Sequence, residues 1–372
     1  MPVETKPWYI IDDVNDIDSP ALVIYLERVK HNIALAINMV GDVSRLRPHV
    51  KTHKSAQATM LMLDAGITKF KCATITEGEM LALCGAPDVL LAYPPTGPKS
   101  RRLLALIEKF PDTRFSCLID SVVNASQLAK ESTSRGITLD VFIDINIGMN
   151  RTGVKPDEAA KLFLASSELV GLNIVGLHGY DGHINDTDIT IRGQKADEAF
   201  GKLEKVQEQL ESLGLLQPVI VLGGSPTFPM HAARSGVECS PGTFVYWDKS
   251  YSDSFTDMGF LSAALVISRV ISNVNEKTTC VDLGHKSVAA ENPLNRRVHF
   301  LNAVGLVPIG QSEEHLVLET PGLDEYMVGD VLYGMPFHVC PTCALYDTAY
   351  VIENVRMKEQ WQMTARDRKL SV

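Results

Sequence analysis

The octapeptide Arg47-Pro48-His49-Val50-Lys51-Thr52-His53-Lys54 places two lysines and two histidines within six residues. Pro48 argues against a helix interior, since it has no N–H and clashes with the preceding turn. Ser55 opens a new apolar-periodic run and reads as a helix N-cap. The octapeptide is therefore expected at the C-terminal end of a strand, where a lysine amine can be held rigidly in a cleft. Schiff-base chemistry needs such an amine, with its ammonium form disfavoured by burial or by neighbouring positive charge. Lys54 and Arg47 are the nearest sources of that charge in the sequence. The same residues also read as a solvated basic turn.

Five further groups carry chemistry. Gly223-Gly224-Ser225 and Pro241-Gly242-Thr243 each follow a short apolar run. Glycine lets backbone N–H groups approach an anion, and Ser or Thr adds a hydroxyl donor. Taken singly, each loop is also an ordinary turn. Arg151, in Gly148-Met149-Asn150-Arg151-Thr152-Gly153, is a cation that can face a cofactor oxygen or a substrate carboxylate; its plainer reading is a surface arginine. His178 and Tyr180 share one face of an expected strand, because side chains alternate with period two. In His338-Val339-Cys340-Pro341-Thr342-Cys343, a histidine and a cysteine at i and i+2 on an extended segment would point the same way and share a cation. Imidazole with thiolate favours Zn2+ over Mg2+ or Mn2+. Two donors leave the site open, to be completed by substrate, water or another side chain. A Cys340–Cys343 redox pair would want a thioredoxin-like context that is absent, and an unliganded segment is the remaining alternative.

These groups need elements to position them. Short apolar runs and helical patterns alternate from Arg45 to Ser240, with strands expected at Arg45–Lys51, Lys69–Ile75, Val89–Tyr93, Phe115–Ile119, Leu139–Asn146, Ile174–Tyr180, Val219–Leu222 and Val237–Ser240. Near-continuously apolar strands alternating with helices indicate a parallel sheet covered on both faces, here an α/β (β/α)8 TIM-type barrel. Ala21–Tyr25 is a ninth apolar run, so the pattern leaves an open doubly wound sheet as the competing architecture. In such barrels catalytic groups lie at the C-terminal strand ends, and phosphate is often bound after strands seven and eight, where the two glycine loops fall. After Asp257 the runs become short, β-rich and separated by turns, which predicts a mostly antiparallel β domain. The expected division is a barrel over 21–253, with 1–20 and 254–372 forming the β domain.

The octapeptide resembles the lysine motif of the D-threonine aldolase and D-serine dehydratase family, pyridoxal 5'-phosphate (PLP) enzymes whose barrel is similar to that of alanine racemase. The resemblance continues in order through 67–74, 176–183, Gly223-Gly224-Ser225, Pro241-Gly242-Thr243 and 338–341. It implies that the lysine strand comes first in the barrel, which alone sets Ala21–Tyr25 outside the eight, and that Lys51, not Lys54, forms the Schiff base with PLP. It also implies that Gly223, Gly224, Ser225, Gly242 and Thr243 hold the phosphate, that Arg151 lies near the PLP hydroxyl, and that Tyr180 lies near the pyridine nitrogen. His338 and Cys340 become ligands of a divalent metal, with Zn favoured over Mn or Mg. The implied activity is a lyase reaction on β-hydroxy-D-amino acids. Overall resemblance favours retro-aldol cleavage to glycine and an aldehyde. Cys340 resembles instead the dehydratase pattern, D-threonine aldolases tending to carry Asp there, and a D-serine or 3-hydroxyaspartate dehydratase is the alternative. A racemase would need a second base opposite Lys51, for which no tyrosine motif stands out. A non-catalytic PLP carrier would resemble the barrel half alone. The family implies a homodimer.

Composition is consistent with these readings. The 372 residues are 45% hydrophobic and 22% charged, ordinary for a globular protein. A net charge of −10 argues against non-specific nucleic-acid binding. No run approaches the ~18 apolar residues of a membrane span, and residues 1–18 lack an apolar core of signal-peptide length. Seven cysteines, an odd number, suit reduced thiols in a cytoplasmic protein.

Overall fold

The computed structural model describes residues 6–215, 218–321 and 325–372. Residues 1–5 and 322–324, both assigned above to the β domain, lie outside the described residues. The chain divides into two compact units. One comprises Ala34–Lys51, Ala58–Gly242 and Asp367–Val372; the other comprises the described residues through Ile33, Thr52–Gln57 and Thr243–Arg366.

The first strand of the chain, β1 (Ala21–Tyr25), belongs to the second unit and is taken up below. In the first unit seven strands run parallel in sequence order: β2 (Lys69–Cys72), β3 (Asp88–Leu91), β4 (Arg114–Ile119), β5 (Leu139–Ile145), β6 (Leu172–Gly179), β7 (Val219–Leu222) and β8 (Val237–Cys239). Helices connect them, and several open on side-chain caps. Thr74 accepts from Glu77 N–H, Ser121 from Asn124 N–H, and Asp188 from Thr190 and Ile191 N–H.

The expected strand Arg45–Lys51 forms no regular ladder. Pro48 has no N–H to donate, and pairing is reduced to isolated bridges from Leu46 to Cys239 and from His49 to Lys71. The backbone bonds are nevertheless complete enough to close the sheet. Arg47 and His49 donate to the Cys239 and Pro241 carbonyls at 2.9 Å, while on the other side Val50 N–H donates to the Lys71 carbonyl and Lys71 N–H to the Pro48 carbonyl. The segment thus bridges β8 and β2 and serves as the eighth stave of a closed barrel.

Alternation along this stave turns Arg47, His49 and Lys51 inward. Arg47 is 2% exposed. Its Nε donates to Glu238 at 2.7 Å and its second guanidinium nitrogen pairs with Asp88. Lys69 reaches the other oxygen of Glu238. Next to this charged group lies an apolar cluster of Leu90, Leu118, Phe142 and Val221, with the Arg47 guanidinium 6.0 Å from the Phe142 ring centre.

The second unit carries a nine-stranded sheet. Beyond β1 its strands are β9 (Ala264–Asn275), β10 (Thr278–Val281), β11 (Val298–Phe300), β12 (Val307–Gln311), β13 (Leu316–Glu319), β14 (Val331–Pro336), β15 (Thr348–Glu353) and β16 (Arg356–Gln362). The main path is β12-β13-β10-β9-β1-β15-β16, with β14 between β9 and β11. Every pairing is antiparallel except β1 with β15, which agrees with a mostly antiparallel domain.

Residue 21 therefore does not open the barrel half, as the expected 21–253 boundary had it. Leu22 sits opposite Ala349 and Val266, and all five residues of β1 are buried. A short apolar run shows that a strand is buried on both faces, not which sheet buries it. Thr52–Gln57 and 243–253 likewise fall in the second unit.

Removing one partner of a buried ion pair leaves an uncompensated charge, which costs about 3–5 kcal/mol. Arg47→Ala is therefore expected to lower unfolding free energy by roughly that amount, by chemical denaturation. A loss below about 1 kcal/mol would mean that Glu238 and Asp88 are well solvated without it.

Candidate active site

Lys51 ends the closing stave and is half-buried. Its backbone N–H lies 3.3 Å from His49 Nδ1. The side chain lines a cavity of about 220 Å3, together with His49, Lys71, Arg151, His178 and Tyr180 among others. Three cations converge on one ring there. Lys51 Nζ, Lys71 Nζ and Arg151 Cζ lie 5.7, 5.6 and 4.9 Å from the Tyr180 ring centre.

The charge facing Lys51 comes from a residue that local sequence did not single out. Arg47 is committed to Glu238 and Asp88, and Lys54 belongs to the second unit. The lysine that shares the cavity with Lys51 is Lys71, on β2. Its ammonium is pushed down to about 7, first by burial and then by the Lys51 charge and Arg151, with Asp144 and Asp181 opposing. Its Nζ donates to Ser240 Oγ at 3.1 Å. The available signal was parity: Lys69 and Lys71 alternate with Phe70 and Cys72, so both lysines face the same way on a strand.

His178 and Tyr180 both line the cavity, as their spacing implied. His178 Nδ1 lies 2.7 Å from Asp144 Oδ1, and Thr152 donates to the other carboxylate oxygen at 2.7 Å. Burial, and next Lys71, hold the imidazole below its usual pKa against the pull of Asp144. Burial alone would raise Asp144, but His178 and Thr152 hold it low. The ring is then neutral. Nδ1 carries the proton toward the carboxylate, and Nε2 is a buried acceptor with no partner among the described residues. Asp144 was also missed, although a carboxylate inside the apolar run Val141–Ile145 is a signal.

A second imidazole–carboxylate pair lies beside the first glycine loop. Arg234 donates to His231 Nδ1 at 3.2 Å, so His231 Nε2 carries the proton and donates to Asp181 Oδ2 at 2.7 Å. Gly223 has φ +82°, and a Cβ there would lie 2.6 Å from the His231 ring. Only glycine fits. At Gly182 a Cβ would lie 2.4 Å from the Tyr180 ring, so a side chain there would displace that ring. Gly224 passes the edge of Tyr180, where a Cβ would sit at 3.2 Å. Ser225 is buried and its Oγ accepts from Gly242 N–H at 3.1 Å, which ties the loops after β7 and β8 together.

Thr243, His338 and Cys340 belong to the second unit. The expectation of an extended His-x-Cys segment does not hold. His338 is extended, at φ −136° and ψ 100°, but Val339–Cys343 is a helical turn. Proline is tolerated in a first helical turn, and Asp248 accepts from Val339 N–H at 3.1 Å. Histidine and cysteine still meet, by turn geometry rather than strand parity. Contact with Cys340 and Glu291 outweighs burial and pushes His338 up to about 9, while His338 and Thr52 hold the buried Cys340 thiol down. Thr52 Oγ1 and Thr243 Oγ1 lie 3.2 and 3.7 Å from Cys340 Sγ. A cavity of about 250 Å3 adjoins His338, Thr243, Asp248 and Phe337. Among the described residues no three His, Cys, Asp or Glu side chains form a metal-binding group. The octapeptide's two histidines separate as well: His49 lines the Lys51 cavity, while His53 is fully buried, with Ser55 N–H on its Nδ1.

A closed parallel barrel with a lysine at the end of the stave that closes it, joined in sequence to an antiparallel β domain, defines an alanine racemase-like architecture. A family model described as alanine racemase, N-terminal domain, matches residues 24–250, and the chain belongs to that family. Residues 263–352 match a putative serine dehydratase domain. A D-threonine aldolase of Arthrobacter sp. is 27% identical over 95% of this chain and 94% of its own. A D-threo-3-hydroxyaspartate dehydratase of Delftia sp. is 25% identical over 94% and 98%. The crystal structure of D-threonine aldolase from Filomicrobium marinum superposes with a TM-score of 0.86 at 26% identity, covering 94% of this chain and 96% of that one. The kinship expected from the motifs is thereby borne out. No helix among the described residues is long and apolar enough to cross a membrane.

The buried amine gives a pH signature. Between about pH 7 and the ordinary lysine value of 10.5, the unfolded chain binds more protons at residue 71 than the folded one. Lys71 therefore contributes stability above 10.5 that is lost as pH falls toward 7. Relative to the wild type, Lys71→Met is expected to be most stabilised near pH 7, with the difference shrinking toward pH 10, in denaturant titrations of the cofactor-free protein. A pH-independent difference would show that Lys71 is not desolvated.

Proposed function

We propose that this chain is a PLP- and divalent-metal-dependent lyase of β-hydroxy-D-amino acids, cleaving the Cα–Cβ bond to release glycine and an aldehyde. The observation that carries this reading is the cavity in which Lys51, Lys71 and Arg151 gather on the Tyr180 ring beside the unpartnered Nε2 of His178. Three cations and an aromatic face suit an anionic planar ligand. PLP, when bound, supplies an electron sink for charge developing at the substrate Cα. Lys51 is the residue proposed to link to it covalently. Gly223, Gly224, Ser225, Gly242 and Thr243 are the proposed phosphate donors, Arg151 a cation for the ring hydroxyl, and Tyr180 the partner of the pyridine nitrogen.

His338 and Cys340 are the proposed donors for the metal, which supplies Lewis-acid polarisation of a hydroxyl. Their soft donor set favours Zn2+, with Mn2+ or Mg2+ as weaker fits, and substrate or water would complete the coordination. We further read the protein as a cytoplasmic homodimer.

Dehydration is the second reading. The observation favouring it is Cys340 itself, together with the similarity to a hydroxyaspartate dehydratase. Here Lys51 takes the proton from Cα and the β-hydroxyl departs, together amounting to loss of water; the enamine so formed tautomerises and is hydrolysed by water to a keto acid and ammonia. In the retro-aldol branch the hydroxyl proton leaves instead and Cα–Cβ breaks.

The purified protein incubated with D-threonine, PLP and Zn2+ or Mn2+ is expected to yield glycine and acetaldehyde by mass spectrometry. 2-Oxobutyrate with ammonia would replace the aldolase by the dehydratase. Lys51→Ala should lose the visible absorption of a PLP Schiff base, and a retained band would reassign the covalent lysine. Excess chelator should abolish turnover, with Zn2+ restoring it; full activity in chelator would remove the metal from the reading.

A further inference from the structure

Lys71 sits where a barrel ordinarily places an apolar side chain. It is on the inward face of β2 and 2% exposed. Its neighbour two residues earlier, Lys69, reaches Glu238 and is compensated. Lys71 is not. Among the described residues no carboxylate lies within ion-pair distance of it, and its one short polar contact is Ser240 Oγ. Ser240 is itself fixed, since its hydroxyl donates to the Gly223 carbonyl at 2.9 Å and is left to accept from Lys71. A lysine amine has three positions for hydrogens, so at least two remain to serve the cavity it lines.

Burying an amine without a counter-charge is costly. Asp144 and Asp181 offset the Lys71 charge only at longer range. Asp144 is already engaged by His178 and Thr152, and one oxygen of Asp181 by His231. His178 Nε2, 97% buried by its residue's exposure of 3%, is a second polar atom of the same cavity wall without a partner. An amine and an imidazole nitrogen left unsatisfied in one cavity indicate a missing polar ligand rather than a packing role.

We propose that Lys71 is a second ligand-binding amine of this cavity, holding an anionic oxygen of the bound molecule non-covalently while Lys51 makes the covalent link. The inference rests on the PLP reading above and extends it. The oxygen belongs either to the cofactor or to the carboxylate of a D-amino acid; both are anionic acceptors of charge-assisted hydrogen bonds. Lys71 differs from Lys51 in being deeper and anchored. Its backbone N–H and carbonyl are both bonded to the closing stave, the N–H to the Pro48 carbonyl and the carbonyl to Val50 N–H, and its Nζ is held by Ser240. That suits a fixed contact rather than an amine that must swing to exchange bonds with substrate.

The test titrates the cofactor-free protein with PLP, following the visible band, then traps the product with borohydride and maps the labelled lysine by peptide mass spectrometry. In the wild type the label is expected on Lys51. Lys71→Met should keep the label on Lys51 but weaken PLP binding roughly tenfold to a hundredfold, the loss expected for one charge-assisted hydrogen bond. Lys71→Arg should recover most of it. If PLP affinity is unchanged, binding of D-alanine, read as a perturbation of the visible band, distinguishes the other source: a tenfold loss in Lys71→Met assigns the oxygen to the substrate. Two results would overturn the inference. One is label on Lys71, which would make it the covalent lysine. The other is unchanged affinity for both ligands in a Lys71→Met protein whose far-UV circular dichroism matches the wild type. Absence of any visible band in the wild type would instead defeat the PLP reading, and the inference with it.

Discussion

Arg47 holds the barrel closed at the point where the backbone is least able to do so. The closing stave contains Pro48 and makes only isolated bridges to β8 and β2. Arg47 adds side-chain bonds to Glu238, next to the end of β8, and to Asp88, the first residue of β3. These ties flank the stave on either side. Lys51 is four residues along the same stave, so the position of its amine follows from that closure. The charged group is satisfied internally, as a buried arginine must be if its desolvation is to be offset.

Toward the other end of the strands the interior remains polar, but compensation is deliberately incomplete. His178 and His231 each have one ring nitrogen assigned by a neighbour: a carboxylate in the first case, Arg234 in the second. Each tautomer is therefore set by structure rather than by pH alone. The pairs keep Asp144 and Asp181 as charges near Lys71 without letting either reach it. What remains open is a small set of donors and acceptors around the Tyr180 ring. A cavity with that composition gains more from an anionic ligand than from water, because charge-assisted bonds strengthen where solvent is excluded.

The His338–Cys340 pair follows a different logic. Asp248 caps the turn that carries Cys340, and Thr52 and Thr243 approach the sulfur. Thr52 and Thr243 are covalently next to Lys51 and Gly242, so the residues attending the thiol are consecutive in sequence with those proposed to attend the cofactor. The chain as a whole is similar both to an aldolase and to a dehydratase.

The sequence by itself determined the alternating strands and helices, the antiparallel second half, and the inward face shared by His178 and Tyr180; the choice of Lys51 over Lys54 came from family resemblance. Those features are local: they follow from period-two and helical periodicity, from proline and glycine, and from ordered short motifs. Only the tertiary structure decided which sheet claims Ala21–Tyr25, since an apolar strand carries no address. It also decided that Arg47 is a structural cation and Lys71 the one beside Lys51. Both lysines and both arginines look alike as letters, and their roles depend on carboxylates up to 191 residues away, as with Arg47 and Glu238. Likewise, Cys340 meets His338 through a helical turn that Asp248 caps from 91 residues earlier. Burial and long-range charge settle what each ionisable group does, and neither is visible until the chain has closed on itself.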